Sequence, residues 1–140
     1  MSHFLTLVIV AHTEPNPSKK AQELMMPYFE ADEDNPSLQA KCDGFVIGGQ
    51  YDGILWGKEQ HYNLNPEEFQ RRYGLDIVQL EDNIRPISTL APDLVSYAIV
   101  TPDGKWHDCE GKSDGEWLQE FRSLLQQHQE KMIAAIDCHC

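Results

Sequence analysis

Two stretches of this chain are almost continuously apolar and β-branched: Phe4-Leu-Thr-Leu-Val-Ile-Val-Ala11 near the start and Met132 to Cys138 near the end. Runs of this kind, without polar alternation, read as strands covered on both faces, and a chain with two of them places both near the middle of one sheet. The first run is eight residues long, holds Thr6 and has no basic region before it, so it reads as a core strand and not as a signal peptide or membrane span. A chain of 140 residues has the size of one domain, here 1–140, and buries roughly 65–70% of the surface its unfolded form exposes. Neither an internal repeat nor a linker divides it.

Local signals fill the space between the two runs. Pro15-Asn-Pro17 stops the first strand, and Ser18 is placed to cap a helix running to about Met26, where Pro27 interrupts the hydrogen-bond ladder. Glu30, Asp32, Glu33 and Asp34 repel one another in any regular element and read as a solvated loop. Phe45-Val-Ile47 and Ile54-Leu-Trp56 read as short strands hinged by Gly48-Gly49. Asn65-Pro66-Glu67-Glu68 starts a second helix that Arg71, Arg72 and Gly74 close, and Asp76 to Leu80 reads as a short strand. Leu94 to Val100 and Lys105 to Cys109 flank Thr101-Pro-Asp-Gly104, a hairpin turn in which proline presets φ and glycine takes the left-handed position. Ser113-x-x-Glu116 is a capping box opening a third helix, with Trp117, Leu118, Phe121, Leu124 and Leu125 at helical spacing. The expected fold is α+β: a two-layer sandwich, a mainly antiparallel sheet with about three helices packed on one face, ferredoxin-like in style.

The segment from Asp34-Asn-Pro36 through Lys41-Cys-Asp-Gly-Phe-Val-Ile-Gly-Gly-Gln-Tyr51 to Gly53 resembles a family of small bacterial and phage proteins. That family's pattern is asparagine-proline, then lysine-tryptophan-aspartate-tryptophan-tyrosine, then a glycine pair followed by arginine-tryptophan. Thr101-Pro-Asp-Gly-Lys-Trp-His107 is similar to its hairpin and Asp137-Cys-His139 to its closing strand, so the resemblance spans most of the chain. Cys42 and Gly44 stand where the family has tryptophan, Gln50 where it has arginine and Tyr51 where it has tryptophan. The resemblance supplies neither a reaction nor a ligand. It favours an accessory or counter-defence role of phage or mobile-element type.

Composition narrows the partners. The 23 acidic and 11 basic residues give a net charge of −12, which repels nucleic acid phosphates and anionic headgroups. Direct nucleic acid or membrane binding is not expected, while a basic partner is compatible, as is an acidic inhibitor mimicking nucleic acid. Four cysteines without a close pairing pattern read as reduced thiols in the cytoplasm.

Three constellations could carry chemistry. Gly48, Gly49, Gln50, Tyr51, Asp52 and Gly53 could present backbone N–H groups to a small anionic ligand, although no Gly-Lys-Ser/Thr follows them; a tight turn is the structural alternative. Trp56 and Tyr51 with Lys58, Arg71, Arg72 and Arg85 could stack and neutralise an anionic heterocycle, or simply fill a core and complement a helix dipole. His107, Cys109, Cys138 and Cys140, with Cys42 and His139 as further candidates, could hold zinc, or Cys138 or Cys109 could form a nucleophile with a cross-strand His107 or His139, oriented by Asp108 or Asp137. The apolar stripe of the third helix reads as a core face, or as a homodimer contact if exposed. The leading expectation is a non-catalytic accessory protein that binds a partner protein or small anionic ligand at the glycine-framed edge, with ligand contacts from Gly48, Gly49, Gln50, Tyr51, Asp52, Trp56 and Arg85. A small enzyme or zinc protein using the Cys/His cluster is the alternative.

Overall fold

The computed structural model describes residues 3–29, 40–51, 53–56, 67, 71, 83–91 and 93–139. Both apolar runs are strands, β1 over His3–Val10 and β6 over Met132–His139. They pair antiparallel along their full length, from His3 opposite His139 to Val10 opposite Met132. The other described elements are α1 (Pro17–Met25), β2 (Gly44–Ile47), β3 (Ile84–Pro86), β4 (Ala98–Val100), β5 (Trp106–Asp108) and α2 (Asp114–Gln127). The strands form one mixed sheet in the order β2-β6-β1-β4-β5, and β3 also pairs with β6. The β1–β4 pairing is parallel; the β1–β6, β2–β6, β3–β6 and β4–β5 pairings are antiparallel.

Side chains alternate across a strand, and in β1 and β6 both sets are apolar. Leu5, Leu7 and Ile9 meet Ile133, Ala135 and Ile99 on one face, under Trp117, Phe121 and Leu124 of α2. Val8 and Val10 meet Ala134, Ile136 and Val100 on the other face, under Ala21 and Met25 of α1. The two described helices therefore lie on opposite faces of the sheet, which corrects the expectation that helices share one face. A sheet with apolar residues on both faces needs a cover on each, since leaving a large apolar side chain in water forfeits about 1.5–3 kcal/mol. The sandwich is also not wired as a ferredoxin-like unit. There the second strand of the hairpin lies beside the first strand of the fold, whereas here β4, the first of its hairpin, takes that place.

Most local elements follow their sequence signals. Ser113 Oγ accepts the Glu116 N–H at 3.2 Å to cap α2, and Trp117 Nε1 donates to the Ser96 carbonyl at 2.7 Å, anchoring the helix to the approach to β4. Gly104 N–H donates to Thr101 O at 2.8 Å and closes the hairpin. The cap of α1 is Asn16, not Ser18: its Oδ1 accepts Lys19 N–H, and Pro17 occupies the first helical turn, where its missing N–H costs nothing. Ile54–Trp56 is a 3₁₀ turn, not a strand. Positive φ at Gly48, Gly49 and Gly53 turns the chain before a ladder can form, and Leu55 is drawn into the core under α2 instead. The helix expected from Asn65 lies outside the described residues apart from Glu67 and Arg71, and the strand expected at Asp76 to Leu80 lies wholly outside them. Two helices are therefore described where about three were expected. No described helix is long and apolar enough to cross a membrane.

Candidate functional site

The antiparallel register of β1 and β6 sets His3 directly opposite His139 and Leu5 opposite Asp137. His3, Asp137 and His139 therefore share the α2 face at the end of the sheet where β1 begins and β6 finishes. Asp137 is 97% buried within an otherwise apolar run, where an unpaired carboxylate would be costly. Both of its oxygens are engaged. Oδ1 lies 2.7 Å from His3 Nδ1, and Oδ2 accepts the Gln50 backbone N–H at 2.8 Å.

The glycines next to Gln50 make this possible. Gly49 has φ +53°, and a Cβ there would stand 2.4 Å from Asp137 Oδ2 and 2.7 Å from Asp137 Cβ. The loop after β2 thus presses its main chain against the carboxylate, while Gly48 N–H donates to Ala135 O at 2.9 Å and pins the loop to β6. The segment expected to offer an N–H group to an external anion does bind a carboxylate, but it is the chain's own.

His139 is fitted in the same way. Its ring lies over Gly44 on β2, where a Cβ would come within 2.2 Å of Nε2. Its Nδ1 is 2.9 Å from Asp43 Oδ1, at ion-pair distance but without the alignment of a hydrogen bond. The His3 and His139 rings are 5.6 Å apart between centroids and form a ridge with a hollow on either side.

On the His139 side a groove of about 460 Å³ follows the edge of β2, lined by Met26, Phe29, Asp43, Phe45 and Val46. Met26 and Val46, both more than half exposed, are two of the three large apolar side chains that the described surface leaves open. On the His3 side a cavity of about 530 Å³ is bounded by Phe4, Lys41, Tyr97, Trp106 and Asp108. Tyr97 Oη donates to Glu110 Oε1 at 2.7 Å, and burial, followed by the Glu110 carboxylate, pushes its phenol well above the ordinary value of 10.0. Burial and the nearby Asp103 charge also raise Tyr28.

The expected site residues separate into several places. Gly49 and Gln50 meet at Asp137 and Gly48 binds the Ala135 carbonyl, whereas Tyr51 packs against the core under α2. Of Trp56 only the backbone is described, and Asp52, Lys58 and Arg72 lie outside the described residues. Arg85 stands on β3 opposite Ile133, four residues along β6 from Asp137, so it is not brought to this end. The described members of the proposed zinc set do not converge either. Cys109 packs under α2, Cys138 is buried under α1, and His107 on β5 is separated from β6 by β4 and β1. Cys140 lies outside the described residues, among which no group of three or more His, Cys, Asp or Glu could hold a metal ion.

Sequence reasoning passed over His3, Asp43 and Gly44, and weighed Asp137 and His139 only as companions of a thiol. One signal was present: an acid inside a run covered on both faces must have partners. No family model, curated protein or solved structure matches this chain.

Proposed function

We propose that this chain is a non-catalytic accessory protein that takes an extended, basic segment of a partner protein along β2, adding a strand to its sheet. The observation that carries the reading is the groove at the β2 edge. Edge strands are ordinarily protected by charge, proline or cover, yet β2 ends the described sheet with Val46 exposed and Met26 exposed beside it. Main-chain pairing with such an edge supplies affinity, and hollows beside it select alternate side chains. The net charge of −12 and Asp43 in the groove favour a basic segment and disfavour pairing with a second copy of this acidic chain. A small anionic ligand at the glycine loop is the weaker reading, because the Gln50 N–H already serves Asp137. The accessory role also accords with the resemblance to phage and bacterial proteins, in a cytoplasmic setting.

The test is titration with a synthetic peptide of alternating valine and lysine, set against its valine and glutamate counterpart. The basic peptide is expected to bind, and Val46→Lys to weaken binding roughly tenfold, the loss of a contact worth about 1.4 kcal/mol. Equal binding of both peptides, or no effect of Val46→Lys, refutes the reading.

A further inference from the structure

The cavity on the His3 side of the histidine ridge takes no part in strand docking, and its walls combine two chemistries. Phe4 on β1, Tyr97 just before β4 and Trp106 on β5 form a continuous aromatic wall. The Phe4 ring centroid lies 4.8 Å from that of Tyr97 and 6.3 Å from that of Trp106, to which it stands edge-on. Trp106 is backed by Tyr28, 5.0 Å away between centroids, whose hydroxyl donates to the Gly104 carbonyl of the hairpin turn. Each wall ring is only partly buried, and the cavity of about 530 Å³ opens to solvent between them and the exposed Lys41 and Glu110.

Two acids are tied to the same rings. Trp106 Nε1 donates to Asp108 Oδ2 at 2.8 Å, and Tyr97 Oη donates to Glu110 Oε1 at 2.7 Å. Donation to a carboxylate pushes electron density back into each ring, and a richer ring attracts a cation over its face more strongly. Burial, then the bond to Glu110, raise the Tyr97 phenol, which keeps its proton and goes on donating. Both acids accept here from neutral donors, and among the described residues neither carboxylate lies in an ion pair. Lys112 turns its ammonium to the Asp108 backbone carbonyl and to Glu120 instead. Against the two acids the cavity sets Lys41 and His3, and the His3 ring is already matched by Asp137 at 2.7 Å. An aromatic wall alone suits any apolar group and a pair of acids alone suits any cation. Together they select a cation with an apolar surface. We propose that this cavity binds a methylated ammonium group, its methyls against Phe4, Tyr97 and Trp106 and its charge balanced by Asp108 and Glu110. Two sources carry that group, a free quaternary amine and a methylated lysine side chain. The proposal rests on this cavity and not on docking at β2.

The probes are choline, its neutral analogue with a tert-butyl group in place of trimethylammonium, acetyl-trimethyllysine amide and the unmethylated acetyl-lysine amide. Single amino acids are used because they cannot add a strand at β2. Each is titrated into the full chain by calorimetry, and the N-methyl protons are followed by NMR. The methylated cations are expected to bind with their N-methyl protons moved upfield by ring currents, and both the neutral analogue and the unmethylated amide to bind at least roughly tenfold more weakly. Tighter binding of choline assigns the site to a free amine, and tighter binding of the trimethyllysine amide assigns it to a protein side chain. Trp106→Leu is expected to lower the affinity roughly tenfold, and Glu110→Gln, an exposed change that keeps an acceptor for Tyr97, roughly threefold. Should Trp106→Leu fail to fold, Glu110→Gln carries the test. No binding of either methylated probe, equal binding of the neutral analogue or of the unmethylated amide, or unchanged affinity in either folded variant overturns the proposal.

Discussion

Two glycine turns in this molecule carry the same sequence signal and do different work. Gly104 closes the β4–β5 hairpin with φ +84°, and a Cβ there would meet nothing within 4 Å. Gly49 also has positive φ, +53°, but a Cβ there would run into the Asp137 carboxylate held between β1 and the loop. At Gly104 the chain needs only the conformation. At Gly49 it needs both the conformation and the empty space, because the loop is the partner of a buried charge.

Substitutions can break this comparison or sharpen it. Gly49→Ala is expected to have the largest effect, destabilising by about 2–5 kcal/mol, since roughly 1–2 kcal/mol of left-handed strain adds to roughly 1–3 kcal/mol of overpacking. Equilibrium urea unfolding measures it. Asp137→Ala should cost about 2–3 kcal/mol by leaving the Gln50 N–H and His3 without their acceptor. In that background the cost of Gly49→Ala should fall by about 1 kcal/mol yet stay above the conformational part, because the Cβ of residue 137 at 2.7 Å and Val46 Cγ1 at 2.9 Å still crowd the position, and an undiminished cost would show that the carboxylate is not what the glycine avoids. Gly104→Ala should cost about 1–2 kcal/mol whether or not Asp137 is present.

The smallest effect concerns alkaline pH. Tyr97 and Tyr28 have raised values in the folded chain, so the fold keeps their protons longer than the unfolded chain does. The stability they contribute is present below the ordinary tyrosine value of 10.0 and declines as pH rises beyond it. Unfolding midpoints followed from pH 8 to 11 should fall over the upper part of that range, and Tyr97→Phe should make the fall shallower; an identical profile for the variant would remove Tyr97 from the account.

The legibility of the fold varied with the range of its signals. The Thr101–Gly104 turn and the Ser113 cap were readable because each is satisfied within four residues. The apolar runs of β1 and β6 were readable as central strands, and their two apolar faces also foretold helices on both sides, an implication the one-face expectation missed. Ile54–Trp56 was misread because its β-branched and aromatic content is equally suited to a turn that buries Leu55. β3 was not assigned at all, since Arg85-Pro86 has no strand character until β6 offers it an edge.

By itself, the sequence determined the two buried strands, the hairpin, the capped helix beside it and the need for glycine in the loop after β2, because periodicity, capping and φ are properties of neighbouring residues. Only the tertiary structure decided that His3, Gln50 and Asp137 meet and that β2 and β3 share the same edge of β6. Those partners are separated by many tens of residues, and it is the register of β1 on β6, set by packing both faces of the sheet at once, that brings them together.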